Sequence, residues 1–209
     1  MGLFGRSSKF SDSSGKNTSS FDALVVGLGN PGKKYARTRH NVGTDAIEVL
    51  AQRLHASLKV GRDRAQIAEC RLANQPVVIA VPTTWMNDSG EAVGPLARRY
   101  KITNPAHIII VHDELDLEPG IVKIKVGGGL AGHNGLKSIS AHIHSDDYIR
   151  VRIGVGKPPS KEVGADHVLS SIPAAERKIL DVSVEVAVDA IEAIVAHGIA
   201  SAMQDFNGR

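Results

Sequence analysis

The sequence contains one cysteine, Cys70, among its 209 residues. A single thiol excludes an intrachain disulfide and is typical of proteins from a reducing compartment. No apolar run approaches the roughly 20 residues that a transmembrane helix needs. The first 20 residues also lack the apolar core of a secretory signal. Together these absences predict a soluble, cytoplasmic protein that makes no use of a membrane.

The sequence also has little excess charge of one sign: its formal net charge is only +3. Residues 1–20 are rich in serine and glycine, and their three basic residues and one aspartate account for most of that charge. We predict a disordered tail over residues 1–20 and a single domain over residues 21–209. The domain itself is close to neutral, so its basic residues matter through their positions.

The common signatures of nucleophilic and metal-dependent hydrolases are missing too. There is no Gly-x-Ser-x-Gly turn to expose a serine, and Cys70 lies in an alternating strand pattern that favours a core position. The run from His112 to Asp116 would suit a hard cation, but neighbouring residues of a strand point to opposite faces. Metal binding is therefore a minor alternative. If the protein is a hydrolase, its nucleophile is expected to be water.

Apolar runs and helical periodicity alternate along the chain. Buried or half-buried strands are predicted in runs that begin near residues 23, 64, 76, 108, 121 and 148. Apolar residues recur at helical spacing in segments 41–54, 88–100, 134–143 and 179–199. The sequence Lys157-Pro158-Pro159 interrupts the pattern. This alternation predicts an α/β fold, a single domain in which a mixed, mostly parallel twisted sheet has helices on both faces.

The segment Gly27-Leu28-Gly29-Asn30-Pro31-Gly32 follows the first predicted strand and matches the dinucleotide-binding pattern G-x-G-x-x-G. In that fold the motif opens a helix directly, and an acidic residue follows about 20 positions later. Here Pro31-Gly32 predicts a turn, and the acidic residue at that distance, Glu48, lies within a predicted helix. A nicotinamide enzyme is therefore the weakest of the alternatives.

His40 lies between a basic run and a predicted helix. Alone, such a histidine is typical of an exposed loop. Four cationic residues surround it in sequence: Lys33, Lys34, Arg37 and Arg39. Nearby cations lower the pKa of an imidazole below about 6.5 and keep it neutral, so that it can act as a base. A carboxylate would raise that pKa and fix the tautomer, and Asp113, at the end of a buried strand, is the candidate.

Two later segments place asparagines at strand-to-helix junctions. The first contains Asn87, which either belongs to the cap of the next helix or offers an amide donor and acceptor to a ligand. The second, Gly127 to Gly135, has five glycines in nine residues and contains Asn134. Fixing so many glycines costs conformational entropy, and glycine loops before helices commonly aim N–H groups at an anion. The glycine-rich loop therefore favours a functional role.

Basic residues alternate with apolar ones in two predicted strands. Lys123 and Lys125 share one face of the first, and Arg150 and Arg152 share one face of the second. Such pairs are either ordinary solvated surface or contacts for phosphates. The alternation of the two arginines is well suited to phosphates.

Five blocks of this sequence, in order and at matching spacing, resemble the bacterial-type peptidyl-tRNA hydrolase family. The blocks are Val26 to Gly32 with Tyr35 to Gly43, then Pro82 to Gly90, His112 to Leu117, Gly127 to Ile139, and Arg150 to Gly156. The resemblance extends from about Leu24 to the C-terminal helices. Five ordered blocks are far more specific than any one of them.

The resemblance implies an α/β monomer that needs no cofactor. It implies hydrolysis of the ester between a peptide and the 3′-terminal ribose of tRNA. In this family pattern His40 would activate a water molecule, and Asp113 would orient His40. A positioned histidine contributes typically 10²–10⁴-fold to such a reaction, which makes this pair a sufficient base for an ester.

The resemblance also implies two sets of binding residues. The residues that would line the cleft and position the peptide, the water and the ester are Asn30, Tyr35, Met86, Asn87 and Asn134. The residues that would hold tRNA phosphates are Lys123, Lys125 and Arg152. Phosphate contacts carry no sequence information, so they suit a substrate shared by all tRNAs.

Two positions depart from the family pattern. Ala131 replaces a glycine usual in the fourth block, and it would be strained if that position needs a positive φ angle. Trp85 stands where smaller aromatic residues are common. A catalytically inactive RNA-binding relative is the alternative to an enzyme. Such a relative should have lost His40, Asp113 or one of the three asparagines, and the presence of all five favours the enzyme.

Overall fold

The computed structural model describes residues 21–158, 160 and 164–208. The tail predicted over residues 1–20 and Pro159 of the predicted break lie outside the described residues. The described part of the chain forms one α/β domain around a seven-stranded sheet. None of its helices is long and apolar enough to cross a membrane.

The predicted mixed sheet is confirmed. Its strands are β1 (Ala23–Gly27), β2 (Lys59–Val60), β3 (Ala65–Leu72), β4 (Gln75–Pro82), β5 (Ile108–Glu114), β6 (Val122–Val126) and β7 (Ile149–Gly154). Their order across the sheet is β2-β3-β4-β1-β5-β7-β6. The four central strands β4, β1, β5 and β7 are parallel, whereas β2, β3 and β6 run antiparallel to their neighbours.

A short connection explains why β3 and β4 are antiparallel. The turn Ala73-Asn74 joins β3 to β4, and both residues are left-handed, with φ angles of 48° and 64°. Two left-handed residues make the type I′ turn that matches the twist of a hairpin. A parallel neighbour would instead need a crossover of a dozen or more residues.

Helices cover both faces of the sheet, as predicted. The described residues contain α1 (Val42–Arg53), α2 (Gly90–Arg99), α3 (Asn134–Ile143), α4 (Gly164–Leu169), α5 (Ala174–His197) and α6 (Ile199–Asn207). Helices α1, α5 and α6 pack on one face of the sheet around Val25 and Val151, and α2 and α3 pack on the other around Val26 and Ile110. Because strand residues alternate between faces and helices cover both, β1 is apolar throughout and β5 is apolar as far as Val111.

Two glycines let α1 lie directly against the sheet. A Cβ atom at Gly27 would lie 2.1 Å from the carbonyl oxygen of Gly43, and one at Gly43 would lie 2.3 Å from that of Val111. Both distances are far below van der Waals contact, so only glycine permits this approach. Helix α1 begins at residue 42, well after Gly32. The glycine motif therefore serves helix-to-strand packing rather than dinucleotide binding.

Candidate active site

A cleft of about 480 Å³ opens at the carboxyl ends of the parallel strands. It is lined by the loops after β1 and β4, the end of β5, the start of α3 and residues of α4. All seven residues predicted to act on the ester or to line the cleft face it: Asn30, Tyr35, His40, Met86, Asn87, Asp113 and Asn134. Folding therefore brings together side chains from four separate segments of the chain.

His40 is held by Asp113. It lies in a short 3-10 helix, Arg39–Asn41, directly before α1. Its Nδ1 is 2.9 Å and 3.0 Å from the two carboxylate oxygens of Asp113. Burial raises the pKa of Asp113, but the neighbouring His40 and His133 more than offset this and hold that pKa well below its usual range. An ionised carboxylate only accepts, so Nδ1 of His40 carries the proton and Nε2 is left as the acceptor that a base needs.

The pKa of His40 is raised above its ordinary value of 6.5. Burial lowers this pKa, but the charge of Asp113 and its hydrogen bond raise it by more. Of the two opposed influences predicted for this pKa, that of the carboxylate prevails over that of the nearby cations. The reason is that Arg37 and Arg39, which both precede His40, are paired with acidic residues of α5.

Arg39 anchors the turn that carries His40. Its side chain is buried, and Nε and Nη2 donate to the two carboxylate oxygens of Glu176 in α5 at 2.7 Å and 2.6 Å. Its Nη1 donates to the carbonyl oxygen of His167 at 3.1 Å. Arg37 is exposed and contacts Asp181 of α5 through Nη2 alone, at 2.9 Å and 3.1 Å. A bidentate pair fixes geometry as well as charge, so Arg39 positions His40, and acidic residues of α5 compensate the charge of both arginines.

His133 is a site residue that the sequence analysis did not single out. Its Nε2 lies 3.1 Å from Oδ1 of Asp113, and its Nδ1 accepts the backbone N–H of Leu136 at 3.4 Å. The second bond caps the N-terminus of α3 and leaves the proton on Nε2, which then donates to the carboxylate. Two histidines thus share Asp113. The sequence signal that could have identified His133 is its position directly before Asn134, at the N-cap of a predicted helix.

His40, Asp113 and His133 are also the described residues that could hold a metal ion, because their ligand atoms all lie within 4.8 Å of one another. Two histidines and a carboxylate are a donor set that zinc accepts. However, the contacts of 2.9 Å to 3.1 Å between the imidazole nitrogens and the carboxylate are those of direct hydrogen bonds. The arrangement therefore favours two histidines hydrogen-bonded to one ionised carboxylate over a metal centre.

Asn30 is fixed by a neighbour and presents a free amide group. The side chain of Asn41 accepts from the backbone N–H of Asn30 at 3.0 Å and donates to its carbonyl oxygen at 2.9 Å. Oδ1 of Asn30 accepts the backbone N–H of Met86 at 2.8 Å, which fixes the orientation of its amide. Its Nδ2 group has no hydrogen-bond partner among the described residues and is available to a substrate.

Asn87 and Asn134 are exposed residues of the cleft wall. Asn87 lies in a 3-10 helix, Met86–Asp88, and no side-chain bond caps the start of α2. The alternative in which Asn87 or Asp88 caps that helix is therefore wrong. Instead Oγ of Ser138 accepts the N–H of Gly90 at 2.9 Å. Asn134 is the first residue of α3 and has only a long contact of 3.5 Å to Lys137, so both amides are open to a ligand.

The apolar part of the cleft comes from the same loops. Met86 is buried, whereas Trp85 is 53% exposed. The rings of Tyr35 and Trp85 meet edge to face, with centroids 5.7 Å apart. Trp85 therefore forms part of the cleft wall, where its departure from the family pattern alters the surface that a substrate meets.

Ala131 lies in the glycine-rich loop, lines the cleft and has a φ angle of 49°. The position thus has the positive φ on which the expected strain depends. A left-handed conformation costs an L-residue roughly 1–2 kcal/mol. Because the side chain is exposed, we expect no steric clash with other residues beyond this backbone strain.

The three residues predicted to bind phosphates lie on one face of the sheet edge. Lys123 is directly opposite Arg152 in the β6–β7 ladder, and Nε of Arg152 pairs at 2.9 Å with Glu114 of the cleft wall. Nζ of Lys123 donates to the carbonyl oxygen of Asn207 at 2.7 Å. Lys125 is half-buried beside the glycine-rich loop and has no ion pair among the described residues.

Arg150 does not lie on that exposed surface. It is only 2% exposed, and its guanidinium donates to the carbonyl oxygens of Gly127, Gly128 and Gly129. The expectation that Arg150 contacts phosphates is therefore wrong, because the side chain is buried beneath the glycine-rich loop.

Comparison with known proteins identifies the family. The peptidyl-tRNA hydrolase family model matches residues 24–209. The chain is 48% identical over 177 residues to a peptidyl-tRNA hydrolase of Mycolicibacterium vanbaalenii, covering 84% of this chain and 92% of that one. It is 50% identical over 186 residues to one from Anaeromyxobacter dehalogenans, covering 89% of this chain and 96% of that one.

A solved structure agrees with the sequence relatives. The crystal structure of peptidyl-tRNA hydrolase from Acinetobacter baumannii matches with a TM-score of 0.85 at 38% identity, covering 90% of this chain and 97% of that chain. Sequence and fold thus point to the same group of hydrolases. The chain belongs to the peptidyl-tRNA hydrolase family.

Proposed function

We propose that this protein hydrolyses the ester that joins a peptide, or an N-blocked amino acid, to the 3′-terminal ribose of tRNA and so releases free tRNA. The observation that carries the proposal is the 2.9 Å contact between His40 and Asp113 inside a cleft lined by three asparagine amides. This arrangement supplies a base with an available Nε2 and amide donors for the ester oxygen. Those are the two requirements of ester hydrolysis by water.

In the first step, Nε2 of His40 takes a proton from a water molecule as the water oxygen bonds to the ester carbonyl carbon. The carbonyl electron pair moves onto its oxygen and forms an oxyanion. Nδ1–H of His40 stays bonded to Asp113, whose negative charge stabilises the imidazolium that forms. Asp113 thereby orients the base and strengthens it without itself taking the proton.

In the second step, the intermediate collapses and the bond between the carbonyl carbon and the ribose oxygen breaks. The imidazolium of His40 returns its proton to that oxygen, giving tRNA with a free hydroxyl and a peptide with a carboxyl group. The amide groups of Asn30, Asn87 and Asn134 position the peptide backbone, the water and the ester. Loss of one donor to an oxyanion typically costs 10²–10³-fold in rate.

We assign the tRNA contacts to the basic edge beside the cleft. Lys123, Lys125 and Arg152 share one face there, and the ion pair of Arg152 with Glu114 links that face to the cleft wall. Phosphates of the acceptor end would bind these cations while the terminal ribose enters the cleft. Because the substrate arises in translation, we place the protein in the cytoplasm. We also propose that it acts as a monomer. Sedimentation velocity tests the monomer.

The decisive assay measures release of free tRNA from an N-blocked aminoacyl-tRNA in the presence of EDTA. Wild-type protein should release tRNA, and His40→Ala should still bind tRNA but release it at least 10²-fold more slowly. His107→Ala is the matched control, because His107 is exposed and lies directly before β5, at the end of that strand opposite to the cleft. Unaltered turnover in His40→Ala would remove His40 as the base. Binding without release by the wild type would instead support the inactive RNA-binding relative, and loss of release in EDTA would support a metal centre.

A further inference from the structure

Arg150 makes contacts that the proposed reaction does not use. Its guanidinium lies beneath the first part of the glycine-rich loop, residues 127–132, and donates to three consecutive carbonyl oxygens there. Nη1 reaches Gly129 at 3.0 Å, and Nη2 reaches Gly128 at 3.0 Å and also contacts Gly127. Carbonyl groups lack the full negative charge of a carboxylate, so their hydrogen bonds offset only part of the cost of burying this cation. Of its other donors, Nε–H is buried without a partner among the described residues.

His112 has a buried hydrogen-bond acceptor without a partner among the described residues, where Arg150 has a buried donor. It is 1% exposed, and its Nδ1 lies 2.7 Å from the carbonyl oxygen of Asp113. A carbonyl only accepts, so the proton is on Nδ1 and Nε2 is an acceptor. That Nε2 is also buried without a partner in the described part of the chain. Burial, the largest cause, lowers the pKa of His112 to about 3, so the ring is neutral and keeps this lone pair at physiological pH.

The two orphaned atoms belong to neighbouring strands. In the parallel β5–β7 ladder Ile110 is opposite Arg150 and His112 is opposite Arg152, so His112 and Arg150 are diagonal neighbours on one face of the sheet. One atom is a donor and the other an acceptor. A buried water typically makes about three hydrogen bonds to groups that would otherwise be unpaired. A single water between them would satisfy both.

We propose that Arg150 is a positioning residue for the reaction, which holds the glycine-rich loop and is joined through one buried water to His112. The loop leads directly into His133, which donates to Asp113, and Asn134, which lines the cleft. His112 in turn bonds the backbone of Asp113 and meets the ring of His133 edge to face, with centroids 4.9 Å apart. The chain of contacts therefore sets the loop at a defined position relative to the carboxylate that orients His40.

Two conservative substitutions test this inference, whose kinetic readout rests on the proposed function. Arg150→Lys keeps the positive charge but loses the fork and the Nε–H donor. His112→Asn keeps a donor close to the position of Nδ1 but removes Nε2. Each should lower kcat about 10- to 100-fold, because small displacements of catalytic groups have effects of that size. The Kd for tRNA, measured without turnover, should stay within about twofold of the wild type, because neither residue contacts phosphate.

The shared water adds a sharper requirement. If the two residues act through one bridge, the double variant should be no slower than the slower single variant. Multiplication of the two losses would overturn the bridge. A raised Kd with an unchanged kcat would overturn the positioning role and return Arg150 to the phosphate contacts.

Amide hydrogen exchange over residues 127–133 gives a readout that does not depend on any activity. Exchange should accelerate at least about tenfold in Arg150→Lys and in His112→Asn. Arg71→Lys is the matched control, because exposed Arg71 also donates to a backbone carbonyl, that of Asn74, in the hairpin turn at the opposite end of β4. Unchanged loop exchange in His112→Asn would overturn the proposal even if Arg150→Lys failed to fold. Wild-type protein that releases no tRNA would instead refute the proposed function and leave the exchange test intact.

Discussion

Asp113→Asn is the substitution whose outcome follows most directly from the geometry. Nδ1 of His40 lies 2.9 Å from Oδ1 and 3.0 Å from Oδ2 of Asp113, and Nε2 of His133 lies 3.1 Å from the same Oδ1. An asparagine offers only one oxygen and carries an NH₂ donor on the other side. His133 keeps its tautomer because Nδ1 accepts the N–H of Leu136, so its Nε2–H holds the asparagine oxygen at the position of Oδ1. The NH₂ group then takes the position of Oδ2, which is 3.0 Å from Nδ1 of His40. A donor there favours the His40 tautomer with the proton on Nε2, which cannot act as the base.

The expected loss is large and has a recognisable pH signature. A wrong tautomer beside a neutral amide lowers kcat by about 10³- to 10⁴-fold. In the wild type the pKa of His40 lies above 6.5 because Asp113 outweighs burial. Activity therefore falls as the pH drops through that raised pKa, since the base becomes protonated. Without the carboxylate, burial remains and lowers the pKa, so the acid limb should move to lower pH.

The assay is the pH profile of kcat/KM for tRNA release between about pH 5 and 9. Asp116→Asn provides the control, because Asp116 is an exposed carboxylate close by in sequence and pairs only with exposed Lys157 among the described residues. In Asp113→Asn combined with His133→Ala the amide oxygen is no longer held by His133 and can turn toward His40 alone, so about tenfold of the lost rate should return. A residual activity whose acid limb stays in place, or no recovery in the double variant, would refute the reasoning about charge and tautomer.

Three further predictions concern Arg39, Lys125 of the basic edge, and Ala131 of the glycine-rich loop. Arg39→Met leaves the half-buried carboxylate of Glu176 unpaired and should lower the free energy of unfolding by about 3 kcal/mol. Urea denaturation measures this, and adding Glu176→Leu should restore most of the loss. Lys125→Ala should weaken tRNA binding and reduce the slope of log Kd against log salt by about one, whereas an unchanged slope would remove Lys125 from the phosphate contacts. Ala131→Gly should raise the free energy of unfolding by about 1 kcal/mol, because φ is 49° there, and equal or lower stability would show that this backbone is unstrained.

Local apolar patterns predicted most of the fold. The segments 41–54 and 134–143 are helices α1 and α3 to within one residue at each end, because one-sided apolar spacing reports which face of a helix is buried. Apolar periodicity gives no prediction where few residues are buried or where the element is short. Strand β2 consists of two exposed residues, and α4 spans only six, Gly164–Leu169, so neither carries a usable periodicity.

Residue types and their order were enough to predict the family, the alternation of strands and helices, and seven of the side chains that line the cleft. Which of two opposed influences prevails at His40 depends instead on the folded structure. Nearness in sequence suggested a field from Arg37 and Arg39, but both pair with α5, more than 130 residues away along the chain, and the buried charge of Asp113 outweighs the effect of burial. The same holds for His133 and Arg150, whose roles depend on contacts between segments far apart in the chain. Charge, burial and tautomer depend on distances in space, and a one-dimensional pattern does not contain those distances.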